Sequence, residues 1–256
     1  MSYYSRLLAC HQYALIDRVC LFPEPWHETL PLTPIVPKEL KSNTDTMPAL
    51  LALDPDAPWH QDLLKHLSVM ERKGWKPIIS CLLAVPEGVN PKLLVLHLQN
   101  RIIVHSPKRR AILRYYDSHI FSHFQRILHP NQLQALYGAV SQWTIRFENG
   151  AGIEWISEPA PFITENVPKY WFVSAEQRAA LDRIGAVNQA LDIWRIKTRP
   201  WENLAEYRDM AVRMDAIVAE EQRKRPDADE ETIAFSAVKS LQKHQNMPLQ
   251  PEYSLT

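Results

Sequence analysis

Glycine is scarce in this chain, at 6 of 256 residues. Loops that cradle phosphate need backbone at positive φ and close approach of main-chain N–H groups, so a chain this poor in glycine has little to build them from. No Gly-rich nucleotide fingerprint is present, which argues against a nucleotide enzyme. Cysteine is scarcer still: Cys10, Cys20 and Cys81, with no CxxC spacing. An odd count in apolar or strand-like settings suggests reduced thiols rather than a disulfide framework. The first twenty residues lack a basic start, a long apolar core and a small-residue cleavage site. No apolar run approaches the roughly 20 residues that span a bilayer. A cytoplasmic protein is expected. Net charge is missing as well, since 29 Lys and Arg balance 29 Asp and Glu. No global field therefore favours nucleic acid, an anionic membrane or an acidic substrate.

What is abundant is proline, with 20 residues, six of them between 22 and 48 (Pro23, Pro25, Pro31, Pro34, Pro37, Pro48). That segment reads as an extended loop with one strand edge. Around it, strand-like and helix-like segments alternate through the first 150 residues. Strands are expected at Tyr13 to Asp17, Ala49 to Leu53, Pro77 to Leu83 and Trp143 to Phe147. A helix capped by Asp56, with Pro58 in its first turn, places Trp59, Leu63, Leu67 and Met70 on one face and ends at Gly74. The pattern predicts an α/β (α+β) N-terminal lobe over 1–148, with a mixed sheet flanked by helices. Residues 149–173 carry Gly150, Gly152, Pro159, Pro161 and Pro168 and read as a linker with a short strand at Ile153 to Ile156. From 174 to 256 the pattern is helical, giving a smaller all-helical lobe and a polar tail. Ser174 with Gln177, and Asp227 with Glu230, form capping boxes, and Pro200 marks a break.

The stretch from Arg109 to Phe124 organises the first lobe. Its apolar run Ala111-Ile112-Leu113 leads through Arg114, Tyr115 and Tyr116 to Asp117, and then into a helical pattern with Ile120, Phe121 and Phe124 on one face. The reading is a central, buried strand whose structural end is marked by Arg114, Tyr116 and Asp117. Asp117 is placed to cap the helix that follows.

Three constellations invite a chemical reading. His119 and His123 are four apart, as metal ligands on one helix face would be, and Asp117 is near, but the glutamate of HExxH is missing. Ser80, His97 and Asp117 supply the residue types of a triad, but no GxSxG elbow surrounds Ser80. Lys108-Arg109-Arg110 is basic but one turn long and without interleaved aromatics, so it reads as a solvated turn. No catalytic residue, metal or cofactor is assigned. The alternatives carried forward are a metal-dependent hydrolase on His119 and His123, and a nucleic-acid module on Lys108 to Arg110.

Large aromatics are in excess in and after the linker: Trp155, Phe162, Tyr170, Trp171 and Phe172, then Trp194 and Trp201. Some of these must pack the junction of the two lobes. Aromatic concave surfaces also make protein-binding grooves, so Tyr170, Trp171, Phe172, Trp194 and Trp201 are read as lining or bracing a partner groove.

The order of motifs resembles the effector adaptor–chaperones of bacterial type VI secretion (Tap/Tec-type). The matching pieces are Tyr13-Ala14-Leu15-Ile16-Asp17, Met47 to Leu53, Gly74-Trp75 leading into Ile78-Ile79-Ser80, and His97-Leu98. Leu113-Arg114-Tyr115-Tyr116-Asp117 and Gly138-Ala139-Val140 followed by Trp143 complete the series. The family often continues past the aspartate with Pro-Arg, where Ser118 and His119 stand here, so no role of that arginine is carried over. The resemblance implies a non-enzymatic cytoplasmic adaptor. It would hold the N-terminal region of a cognate toxin and help load it onto a VgrG spike, with no role for nucleic acid or membrane.

Overall fold

A computed structural model describes residues 3–20, 25–75, 78–107, 109–159 and 171–244. The chain divides into two compact units, residues 1–147 with 154–173, and residues 148–153 with 174–256.

The first unit opens with helix α1 (Tyr3–Ala9) and strand β1 (Tyr13–Ile16). The proline-rich segment follows as 3-10 turns at Pro25–Thr29 and Lys38–Thr46 around a two-residue strand β2 (Thr33–Pro34). Next come β3 (Ala49–Ala52), α2 (His60–Lys73), β4 (Ile79–Ala84), α3 (Pro91–Ile102), β5 (Ile103–His105) and β6 (Arg110–Ile112). Three short helices, α4 (Ser118–Phe121), α5 (Phe124–Ile127) and α6 (Pro130–Tyr137), precede β7 (Gln142–Glu148), β8 (Ile153–Pro159) and β9 (Trp171–Phe172). The main sheet has the order β2-β3-β1-β4-β7-β8. Leu15 stands opposite Leu50 on one side and Cys81 on the other, both pairings antiparallel. With β1 inside the sheet, Ala14, Leu15 and Ile16 are fully buried, whereas Pro34, which cannot donate to a ladder, sits on the edge strand. A second sheet, β6-β5-β9, joins β5 to β6 antiparallel and to β9 parallel, so the parallel pairing that makes a sheet mixed lies in the small one.

One side of the main sheet is covered by α1 and α2, where Tyr4, Leu8, Leu63 and Leu67 meet Ile16, Leu51 and Leu82. The Cys81 side meets residues 115–137. Trp143, fully buried on β7, stacks on Phe121 at 5.1 Å and takes the Tyr115 ring edge-on at 5.8 Å.

Three sequence readings need correction. Ala111-Ile112-Leu113 is not a buried central strand: β6 is the three-residue edge of the small sheet, with Arg110 and Ile112 exposed. Charged neighbours at both ends, Arg109, Arg110 and Arg114, left too short a run to pass through a core. The burial belongs to the non-strand segment after it, Leu113, Tyr115 and Tyr116. The first turn of α2 begins at His60 rather than after Asp56, because Asp54 captures the Asp56 N–H (2.9 Å) and holds a tighter turn there. The short strand read at Ile153 to Ile156 is present but longer than expected, running to Pro159 as the seven-residue edge strand of the main sheet.

The second unit holds α7 (Ala175–Asp182), α8 (Ile184–Lys197), α9 (Leu204–Lys224) and α10 (Glu230–His244), the last three packing on one another. The Ser174 box forms as read, with Ser174 Oγ accepting from the Gln177 N–H and Gln177 Oε1 from the Ser174 N–H. The box before α10 does not involve Asp227: Asp229 accepts the Thr232 N–H at 2.7 Å. Arg183, at the α7–α8 junction, donates to both carboxylate oxygens of Asp215 on α9 at 3.0 Å each. Gly150 (φ +92) turns the chain where a Cβ would overlap the Arg195 side chain.

Candidate protein-docking surface

Within the Leu113-to-Asp117 segment of the motif series, Leu113, Tyr115, Tyr116 and Asp117 are buried and occupied in packing. Asp117 Oδ1 accepts the His119 N–H at 3.0 Å, capping α4, and Asp117 Oδ2 takes the Arg114 guanidinium at 3.1 Å. Tyr116 is buried, its ring edge-on to Tyr115, and burial raises both phenol pKa values. Tyr115 donates its hydroxyl to the Leu98 carbonyl at 2.9 Å. Arg114 is itself half exposed, so its ion pair is worth little, whereas the cap at Asp117 is sheltered. Arg114→Ala should cost about 0.5 kcal/mol and Asp117→Ala about 1–2 kcal/mol in urea unfolding. The reverse order would place the stabilising contact on the wrong residue.

The triad and metal candidates are not brought together. Ser80 Oγ donates to the Leu15 carbonyl within the sheet (3.0 Å). His97, on α3, donates from Nε2 to the Leu136 carbonyl (2.9 Å) and lies over Gly138 at the end of α6. Burial is the main cause that pulls its pKa down to about 4, with Arg101 adding in the same direction. Burial also raises the Cys81 thiol well above its ordinary range, which keeps it protonated. His119 is exposed while His123 is fully buried, its Nδ1 accepting from Arg126 Nε (2.9 Å). The helix is interrupted between them, so the spacing of four does not give a shared face. Among the described residues, no group of three or more His, Cys, Asp or Glu is arranged to hold a metal ion.

Of the five aromatics read as partner-facing, Tyr170 lies outside the described residues. Trp171, Trp194 and Trp201 are buried, so their side chains are engaged in packing and do not line an open surface. Trp171 lies against Arg101, whose guanidinium carbon is 6.0 Å from the ring centroid and whose pKa burial lowers to about 10. Trp201 meets Tyr207 edge-on at 5.8 Å, and the Trp201 main-chain N–H donates to the Asn149 carbonyl at 2.8 Å. Phe172 is different, at 66% exposed.

Register explains why. In the small sheet Val104 stands opposite Trp171 and Ala111, and Val104 and Trp171 turn into the core. The alternate residues therefore share the outer face. Across the three strands they form a row, Arg110–His105–Phe172, with Ile112 opposite Ile103 in the next row. The His105 and Phe172 rings are 5.3 Å apart, and Gln132 Nε2 holds the Phe172 carbonyl at 2.6 Å. Ile112 is 46% exposed. Sequence reasoning missed Ile112 because it was assigned to a buried strand; the Arg-Ala-Ile alternation in β6 was the available signal.

Residues 36–135 match a protein family described as a domain of unknown function, DUF4123. No curated protein and no solved structure matches the chain. The DUF4123 stretch contains β5 and β6 of the outer face and the Arg114–Asp117 segment, but not β9. It also contains β3 and β4 while omitting β1, which lies between them in the sheet. The structural unit around the DUF4123 stretch therefore extends beyond it on both sides. No helix among the described residues is long and apolar enough to cross a membrane.

Proposed function

We propose that this chain is a non-enzymatic adaptor–chaperone of type VI secretion. It holds the N-terminal region of a cognate toxin in the bacterial cytoplasm and helps deliver it to a VgrG spike. The observation that carries the reading is the ordered motif series from Tyr13 to Trp143, overlapped for most of its length by the DUF4123 match over residues 36–135. Two further facts support it. The polar motif residues with the types needed for catalysis, Ser80, His97 and Asp117, are each engaged in a separate structural contact. The outer face of the small sheet exposes Phe172 and Ile112, apolar contacts of the kind a protein that holds another polypeptide needs.

Co-expression with the product of the adjacent toxin gene tests this. The expected result is a stoichiometric complex, more soluble toxin, and recruitment of the spike protein to the pair. Failure of both toxin and spike protein to co-purify under gentle conditions would sink the reading.

A further inference from the structure

The neutral total conceals a strong local imbalance. Residues 88–147 contain eight lysines and arginines and a single acid, Asp117, so this part of the chain carries +7 and the remainder −7. That one acid is already engaged by Arg114 and by the α4 cap. Arg101 and Arg146 are buried, but Lys92, Arg109 and Arg110 are exposed. The strands β5 and β6 fall within residues 88–116, which contain no acid at all, and Arg110 stands in the same row as His105 and Phe172.

We infer that the outer face of the β6-β5-β9 sheet is a docking surface for an acidic polypeptide segment carrying apolar side chains in extended form. This rests on the adaptor reading for its biological partner, and on charge and register for its chemistry. Phe172 and Ile112 offer an apolar contact for one set of alternating side chains. Arg110, with Arg109 on the adjoining turn, offers charge complementarity to carboxylates beside them. Nucleic acid is the weaker match: single strands are held by successive exposed stacking aromatics, whereas the exposed side chains here are one phenyl ring, Phe172, and the aliphatic Ile112, with the His105 imidazole half-buried against that ring.

The full chain can be titrated with three fluorescein-labelled probes: a peptide of alternating valine and glutamate, its valine–lysine counterpart, and oligodeoxythymidine of the same length. The glutamate peptide should bind about tenfold or more tighter than the lysine peptide. Phe172→Ser and Arg110→Glu should each weaken it by about tenfold with unchanged melting temperatures. Equal binding of the two peptides, indifference to both substitutions, or tighter binding of the oligonucleotide would overturn the proposal. The two variants also separate it from the adaptor reading. If they retain the toxin that the unaltered chain captures, the face is wrong and the adaptor stands. If the glutamate peptide binds through the face but the unaltered chain captures neither toxin nor spike protein, the adaptor reading alone falls.

Discussion

Replacing Gly138 with alanine should destabilise the first unit by about 2–6 kcal/mol, combining backbone strain of about 1–3 kcal/mol with overpacking of similar size. Gly138 ends α6 at φ +54 and ψ −121, a conformation that L residues rarely adopt. The added methyl would also land in the His97 imidazole, which occupies the space that the missing side chain leaves. The ring cannot swing away cheaply, since its Nε2 is bonded to the Leu136 carbonyl. Urea unfolding of Gly138→Ala, His97→Ala and the double variant separates the two causes. If the clash dominates, the double variant is more stable than the sum of the single losses allows, because the methyl enters the vacated space. A Gly138→Ala protein with an unchanged midpoint would show that the ring and the turn do not meet as described.

The same pair shows how two distant motifs become one structural fact. His97-Leu98 and Gly138-Ala139-Val140 are far apart in sequence, and no periodicity links them. In space the histidine fills the glycine's side-chain position, and the Leu98 carbonyl accepts the Tyr115 hydroxyl. Local rules reached what depends on local chemistry. The Ser174 box, the Asp117 cap and the Gly74 helix end at φ +64 all follow from neighbours a few residues away. They failed where pairing decided. Ala111-Ile112-Leu113 resembles a core strand until β5 is seen to be its partner on one side, with no described strand on the other. Residues 153–156 read locally as a short isolated strand, and only the pairing with β7 extends it to Pro159 and places it in the main sheet. The outer face was hidden for the same reason. Phe172, Ile112 and Arg110 lie on two segments some sixty residues apart, and parallel pairing of β9 with β5 is what puts them in register.

Acid should loosen the molecule before its carboxylates begin to protonate, with His97 as the main cause. In the folded chain its pKa is lowered from 6.5 to about 4, chiefly by burial. The unfolded chain takes up a proton as pH falls through about 6.5, while the folded chain refuses it until about 4. The contribution to stability is thus fully present above pH 6.5 and is lost as pH falls from 6.5 towards 4. At about 1.4 kcal/mol per unit, the loss is about 2 kcal/mol by pH 5 and about 3 kcal/mol by pH 4. His11, whose pKa burial also lowers, acts in the same direction through its place between the Leu7 carbonyl and Thr144 Oγ1. Urea midpoints between pH 7.5 and pH 5 read the slope directly. His97→Gln keeps an N–H for the Leu136 carbonyl but cannot be protonated, so it should flatten the slope by about 2 kcal/mol over that range. An identical slope in the variant would mean that the imidazole is not held neutral, and that the His97–Gly138 contact is looser than its geometry requires.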